Sequence, residues 1–106
     1  MVDTLREAKM SFLSNEQKKR IPALYSQEEV EDPIVFIKLN IMNSFWLITE
    51  LDHDKELGFG WCCLGGDIQM AELGYVSLEE IESTGYEVGI EEIEKPLSQV
   101  KKELGL

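Results

Sequence analysis

The sequence predicts an α+β domain, an antiparallel sheet of about four strands in a meander with short helices packed at one face or at the ends. Three observations carry that expectation. From Ile34 the pattern changes from helical spacing to runs rich in β-branched residues, the runs are joined by loops too short for parallel crossovers, and capped helical stretches lie before and after them. With 106 residues the chain has enough material for one core. It reads as a single domain over residues 1–106, with residues 1–13 as a fraying N-terminal extension.

The first firm element begins after Ser14. Gln17 stands three positions on, so the two side chains can satisfy each other's free amides at a helix start. Pro22 ends this helix, because its ring drives the preceding residue out of helical geometry. Leu24 and Tyr25 then read as anchors that pin a connecting loop to the core. Pro33 opens the first strand, Ile34 to Ile41, and Met42-Asn43-Ser44 turns the chain. The second strand, Phe45 to Asp52, places Phe45, Leu47, Thr49 and Leu51 on one face and Trp46, Ile48, Glu50 and Asp52 on the other.

A polar hairpin loop, His53 to Glu56, leads to a third strand over Phe59 to Leu64. Gly65-Gly66-Asp67 makes a tight turn, and Met70 to Val76 a fourth strand. Ser77 caps a helix in which Glu79 and Glu80 occupy the first turn, where the helix dipole favours negative charge. Gly85 stops it. Tyr86 to Ile93 suits a short edge strand, and Pro96 opens a closing helix with Leu97, Val100 and Leu104 on one side and Lys101 and Lys102 near its end. Trp46, Phe59, Trp61 and Tyr75 read first as core, since aromatics supply much of the burial in a small domain.

Several of these strings resemble a known family. Trp46-Leu47-Ile48-Thr49-Glu50-Leu51-Asp52, the pair Phe59-Gly60, the string from Glu72 to Ile81, Pro96-Leu97 and the earlier Leu24-Tyr25 are similar to a small family of uncharacterised proteins encoded on bacterial plasmids, phages and conjugative elements. The resemblance covers residues 13 to 100. Cys62-Cys63 and the charged N-terminus depart from it. It implies a mobile-element origin and a compact α+β domain, and it supplies no activity.

Charge is unevenly distributed. Residues 28–94 hold seventeen acidic and two basic residues, whereas the flanking segments are slightly basic, for a net charge of -11. Such a field opposes direct binding to nucleic acid or to an anionic membrane and favours a basic protein surface, including one that normally holds nucleic acid. Residues 1–14 lack the uninterrupted apolar segment of a signal peptide, and no run approaches transmembrane length. The adjacent cysteines are badly placed to bridge each other. These features predict a reduced, cytoplasmic protein.

The leading functional expectation is a non-catalytic acidic accessory protein of a mobile element that binds a basic protein surface. Glu28, Glu29, Glu31 and Asp32 form one candidate patch, and Glu87, Glu91, Glu92 and Glu94 a second. Glu50, Asp52 and Glu72 add carboxylates from the strands, and Trp61 is a candidate anchor if it stays on an open face. Glu50 and Glu72 each lie in a strand among large apolar residues, so one or both are expected to be partly buried and to need a cation or several amides, and Lys38 is the candidate cation.

The alternative is a hydrolytic or metal-dependent enzyme built on Glu50, Asp52, His53 and Glu72, with paired carboxylates as acid and base. No cofactor is called for. Asp52-x-Asp54-x-Glu56 resembles the start of a calcium loop, but the sixth position is Leu57 and the twelfth Cys63, so no metal site is expected. A homo-oligomer in which a symmetry mate covers a strand edge is a further alternative.

Overall fold

The computed structural model describes residues 12–52, 54 and 56–106. Helix α1 (Asn15–Arg20) begins as its sequence dictates: the Gln17 amide donates to Ser14 Oγ at 3.1 Å, and the Ser14 amide donates to Gln17 Oε1 at 2.9 Å. Ile21, extended ahead of Pro22, ends it. Most of the N-terminal extension expected over residues 1–13 falls outside the described residues. Its last two residues, Phe12 and Leu13, pack against the core.

Strands β1 (Ile34–Ile41), β2 (Ser44–Asp52), β3 (Leu57–Cys63), β4 (Glu72–Ser77) and β5 (Gly89–Pro96) form one sheet in the order β4-β3-β2-β1-β5. All neighbours are antiparallel, so the domain is α+β and β1 to β4 form a meander. The sheet has five strands where about four are expected in the meander: the edge strand expected at Tyr86 to Ile93 runs from Gly89 to Pro96 and joins the same sheet beside β1, with one shift of register between Val35 and Ile37. Pro96 is tolerated there as the last residue of an edge strand. A 3-10 turn at Ile68–Met70 delays β4 to Glu72.

Apolar residues on the two faces of the sheet build two core clusters. Ile37, Leu39, Ile48, Leu51 and Val76 pack with Leu13, Ile21 and the Leu78 and Ile81 side chains of helix α2 (Leu78–Ser83). On the opposite face Val35, Leu47, Trp61 and Cys63 pack with Leu97 and Val100 of helix α3 (Leu97–Glu103). The helices thus divide between the faces. Leu104, expected on the buried side of the closing helix, follows it as an exposed residue. Among the described residues no helix is long and apolar enough to cross a membrane.

Two irregularities set the places of the Glu50 and Asp32 carboxylates. In β2, Ile48 is paired with Gly60 but Glu50 with Phe59, so Thr49 is an extra residue. Strict alternation is therefore broken. Leu51 joins Trp46 and Ile48 in the first cluster, while Glu50 moves to the face that carries Phe45 and Leu47. The second irregularity is the start of α3. Pro96 offers no capping side chain, and Asp32 supplies the cap from far away in sequence, accepting from the Ser98 amide at 2.9 Å and the Ser98 hydroxyl at 2.6 Å.

Candidate functional site

The β2 bulge turns Glu50 toward the loop of residues 22–33, and that loop is built around it. Glu50 is 4% exposed, and its two carboxylate oxygens accept the Tyr25 amide at 2.8 Å and the Gln27 amide at 2.7 Å. A buried carboxylate is stable in the company of such donors. The expected partner, Lys38, lies elsewhere: it is paired with Leu47 and Glu91, and its ammonium sits 5.6 Å from the Phe45 ring centroid. Gln27 closes the loop with its own side chain. Its Nε2 donates to the carbonyls of Ile34 at 3.0 Å and Thr49 at 2.8 Å, and its Oε1 accepts the Ile34 amide at 2.7 Å.

This arrangement holds Tyr25 at φ +72°, a conformation that costs a non-glycine residue on the order of 1 kcal/mol. The result is that the Tyr25 ring stands over the sheet instead of in the core. Tyr25 is 58% exposed and Tyr75 is 55% exposed, and their hydroxyls lie 3.1 Å apart. The expectations that Tyr25 anchors in the core and that Tyr75 is buried are both corrected. What anchors the loop is backbone, through Glu50. Phe59 supports the pair from below, its ring edge-on to Tyr75 with centroids 5.3 Å apart.

Between loop and sheet lies a cleft of about 260 Å³. Phe59, Leu73, Val30 and Pro33 give it apolar walls, Tyr25 and Tyr75 stand at one side, and Glu28 and Glu31 add carboxylates. The Tyr75 phenol is held above its ordinary range, chiefly by its hydrogen bond with Tyr25, then by burial and by the nearby charges, Glu28 and Glu50 among them. It stays neutral and keeps its proton. The cleft therefore combines aromatic faces, phenol hydroxyls and carboxylates, which is the chemistry that receives a cationic, partly apolar group.

A family described as "Protein of unknown function (DUF2958)" matches residues 5–103, nearly the whole chain. The chain belongs to the DUF2958 family. No curated protein and no solved structure matches it.

The other residues singled out in this DUF2958 chain are dispersed. Glu28, Glu31 and Glu50 line the cleft, and Glu29 is exposed on the same loop. Asp32 is committed to the start of α3, and its two bonds to Ser98 hold its carboxyl below the usual range. Trp61 is 8% exposed in the second core cluster, with the Lys101 ammonium 4.7 Å from its ring centroid. Glu92 is engaged by Arg20 and Gln17 of α1, Glu91 is paired across the sheet with Lys38, and Glu87 and Glu94 are exposed.

Glu72, expected to share the partial burial of Glu50, is exposed at the start of the edge strand β4, and it does not meet Glu50. It is paired with Cys62, whose side chain packs toward the first cluster, so the two glutamates belong to opposite faces. Asp52 accepts the Asp54 amide at 3.0 Å in the β2–β3 turn, and His53 lies outside the described residues. Among the described residues no three His, Cys, Asp or Glu side chains gather as a metal site. Cys62 and Cys63 are free thiols on opposite faces. Burial, and secondarily the Glu72 charge, pushes the Cys62 thiol up.

The sequence places Tyr25, Phe59 and Tyr75 in the core and Leu73 only within a family-like string, and it assigns none of them, nor Gln27, to a site. One signal is present: Leu73 and Tyr75 alternate on a strand, so they must share a face. Nothing in the sequence indicates that helix α3 and the 22–33 loop leave a cleft on this face among the described residues.

Proposed function

We propose that this chain is a non-catalytic acidic accessory protein of a mobile element, and that it binds a basic surface on a protein partner through the cleft beneath Tyr25 and Tyr75. One observation carries the reading: a strained tyrosine, fixed by a buried carboxylate, faces a second tyrosine over an apolar floor with Glu28 and Glu31 beside it. A Lys or Arg side chain lays its stem on apolar walls, meets aromatic faces with its charge, and ends near carboxylates. The acidic field of residues 28–94 steers such a partner and opposes nucleic acid.

The division of labour among the carboxylates supports binding over catalysis. Both Glu50 oxygens are taken by amides, and Glu72 lies on the other face, so they cannot share a substrate as acid and base. The test uses the smallest cationic probe, N-acetyl-arginine amide, with N-acetyl-norleucine amide as the neutral control. In NMR titrations the arginine probe is expected to shift Tyr25, Phe59, Leu73 and Tyr75, and the Glu28→Gln/Glu31→Gln double variant to weaken it several-fold. Equal shifts from both probes, or shifts indifferent to the double variant, overturn the assignment.

A further inference from the structure

The two edges of the sheet are unlike. On β5 the sequence Ile90-Glu91-Glu92-Ile93-Glu94-Lys95 closes with Pro96, a dense run of charge and a final residue without an amide hydrogen. Such an edge repels or blocks another strand. On β4 the sequence Glu72-Leu73-Gly74-Tyr75-Val76 carries one charge. Leu73 is 50% exposed, and Leu64, Ile68 and Met70, on the chain leading into it, are exposed as well. Among the described residues the only backbone hydrogen bonds made by residues 72–76 are those to β3. The outer row of β4 donors and acceptors thus faces outward beside an apolar surface.

The same strand supplies a wall of the cleft. Leu73 and Tyr75 point to the cleft's face, and a strand laid along β4, about 4.8 Å away, would turn every second side chain to that face. We infer that β4 receives an extended, cationic segment of the partner as a sixth strand of the sheet, with an Arg or Lys of that segment placed in the cleft between Tyr25, Tyr75 and Glu31. This rests on the cleft reading and adds a mode and a ligand class to it. Main-chain bonds to β4 hold the segment, and the cleft selects its charge. Charge decides against a second copy of this chain as the occupant, because a copy brings a further -11 to an already acidic face.

The probe is a library of nine-residue peptides, alternating Val or Thr with variable positions, and carrying Arg, Ala or Glu at the centre. Each member that binds the full chain is remade with its backbone N-methylated at alternate residues, which keeps the side chains and removes the strand-forming hydrogens. Arginine-centred peptides are expected to bind at least tenfold tighter than Ala- or Glu-centred ones. N-methylation is expected to cost about tenfold or more and to abolish hydrogen-exchange protection gained at residues 73–76.

Arginine-selective binding that is indifferent to N-methylation overturns the added strand and leaves the cleft reading standing. Methylation-sensitive binding without arginine preference, unchanged by Glu28→Gln/Glu31→Gln, overturns the cationic assignment and the cleft reading while keeping the edge. No binding by any peptide, or dimerisation of the free chain through residues 73–76 at neutral pH, overturns the inference outright.

Discussion

Glu50 shows how one buried charge can organise a loop. Its oxygens replace the ladder partners that the loop amides of Tyr25 and Gln27 would otherwise lack, and in doing so they stabilise a left-handed Tyr25. Removing the carboxylate strands two amides, so Glu50→Ala is expected to lower stability by about 3 kcal/mol in urea unfolding. Tyr25→Gly separates fold from site. Glycine adopts φ +72° without strain, so stability stays near that of the parent while the arginine probe loses its tyrosine contact. An equal loss of stability in both variants would mean that the ring, not the carboxylate, holds the loop. At Cys62 the raised thiol predicts slower maleimide reaction in the folded chain than in the unfolded chain between about pH 7 and 9, where an ordinary thiol begins to ionise. The need for a partner at Glu50 is readable from its apolar neighbours. The partner is not, because main-chain amides in a loop carry no side-chain signature.

Helix starts are the most legible elements, since the Ser14 and Ser77 caps are short-range hydrogen bonds written in adjacent residues. The β2 bulge is illegible because it is set by pairing with β3. Gly60 is part of that fit: a Cβ there would lie 1.9 Å from the Leu47 carbonyl oxygen. Backbone cannot move aside cheaply in a central strand, so Gly60→Ala is expected to cost about 3 kcal/mol or more, read as a collapsed urea midpoint, whereas Gly74→Ala, with open space around it, is expected to be mild. The Asp32 cap of α3 is likewise hidden by sequence distance, and Asp32 reads as one acid among several. Its folded carboxyl is depressed by the Ser98 hydroxyl and then the Ser98 amide, so its contribution is present above the ordinary aspartate range, about pH 4, and is lost as pH falls through the lower folded value. Asp32→Asn is therefore expected to lower the melting temperature at pH 7 and to converge with the parent in strong acid. A gap that persists unchanged in acid would show that the Asp32 charge is not what anchors α3.

Among the described residues an acidic surface is joined to a sheet edge, β4, whose outer backbone row pairs with no further strand, and the two features bear on each other. At neutral pH a charge of -11 on each copy opposes edge-to-edge pairing of two copies. Near the isoelectric point of about 4.4 that repulsion disappears while Leu73, Tyr75 and the outer backbone of β4 stay exposed. Edge-to-edge association is then the expected route to aggregation, because β5 keeps Pro96 and its crowded side chains whatever their protonation. Leu73→Lys places a charge in the middle of the β4 edge, and Leu106→Lys adds the same charge at the exposed C-terminus. Both raise the isoelectric point equally. Light scattering followed between pH 6 and 4, roughly the range in which carboxylates titrate, is expected to rise steeply for the parent and for Leu106→Lys, each near its own isoelectric point, and to stay low for Leu73→Lys. If the two lysine variants scatter alike, β4 is not the edge through which this protein associates.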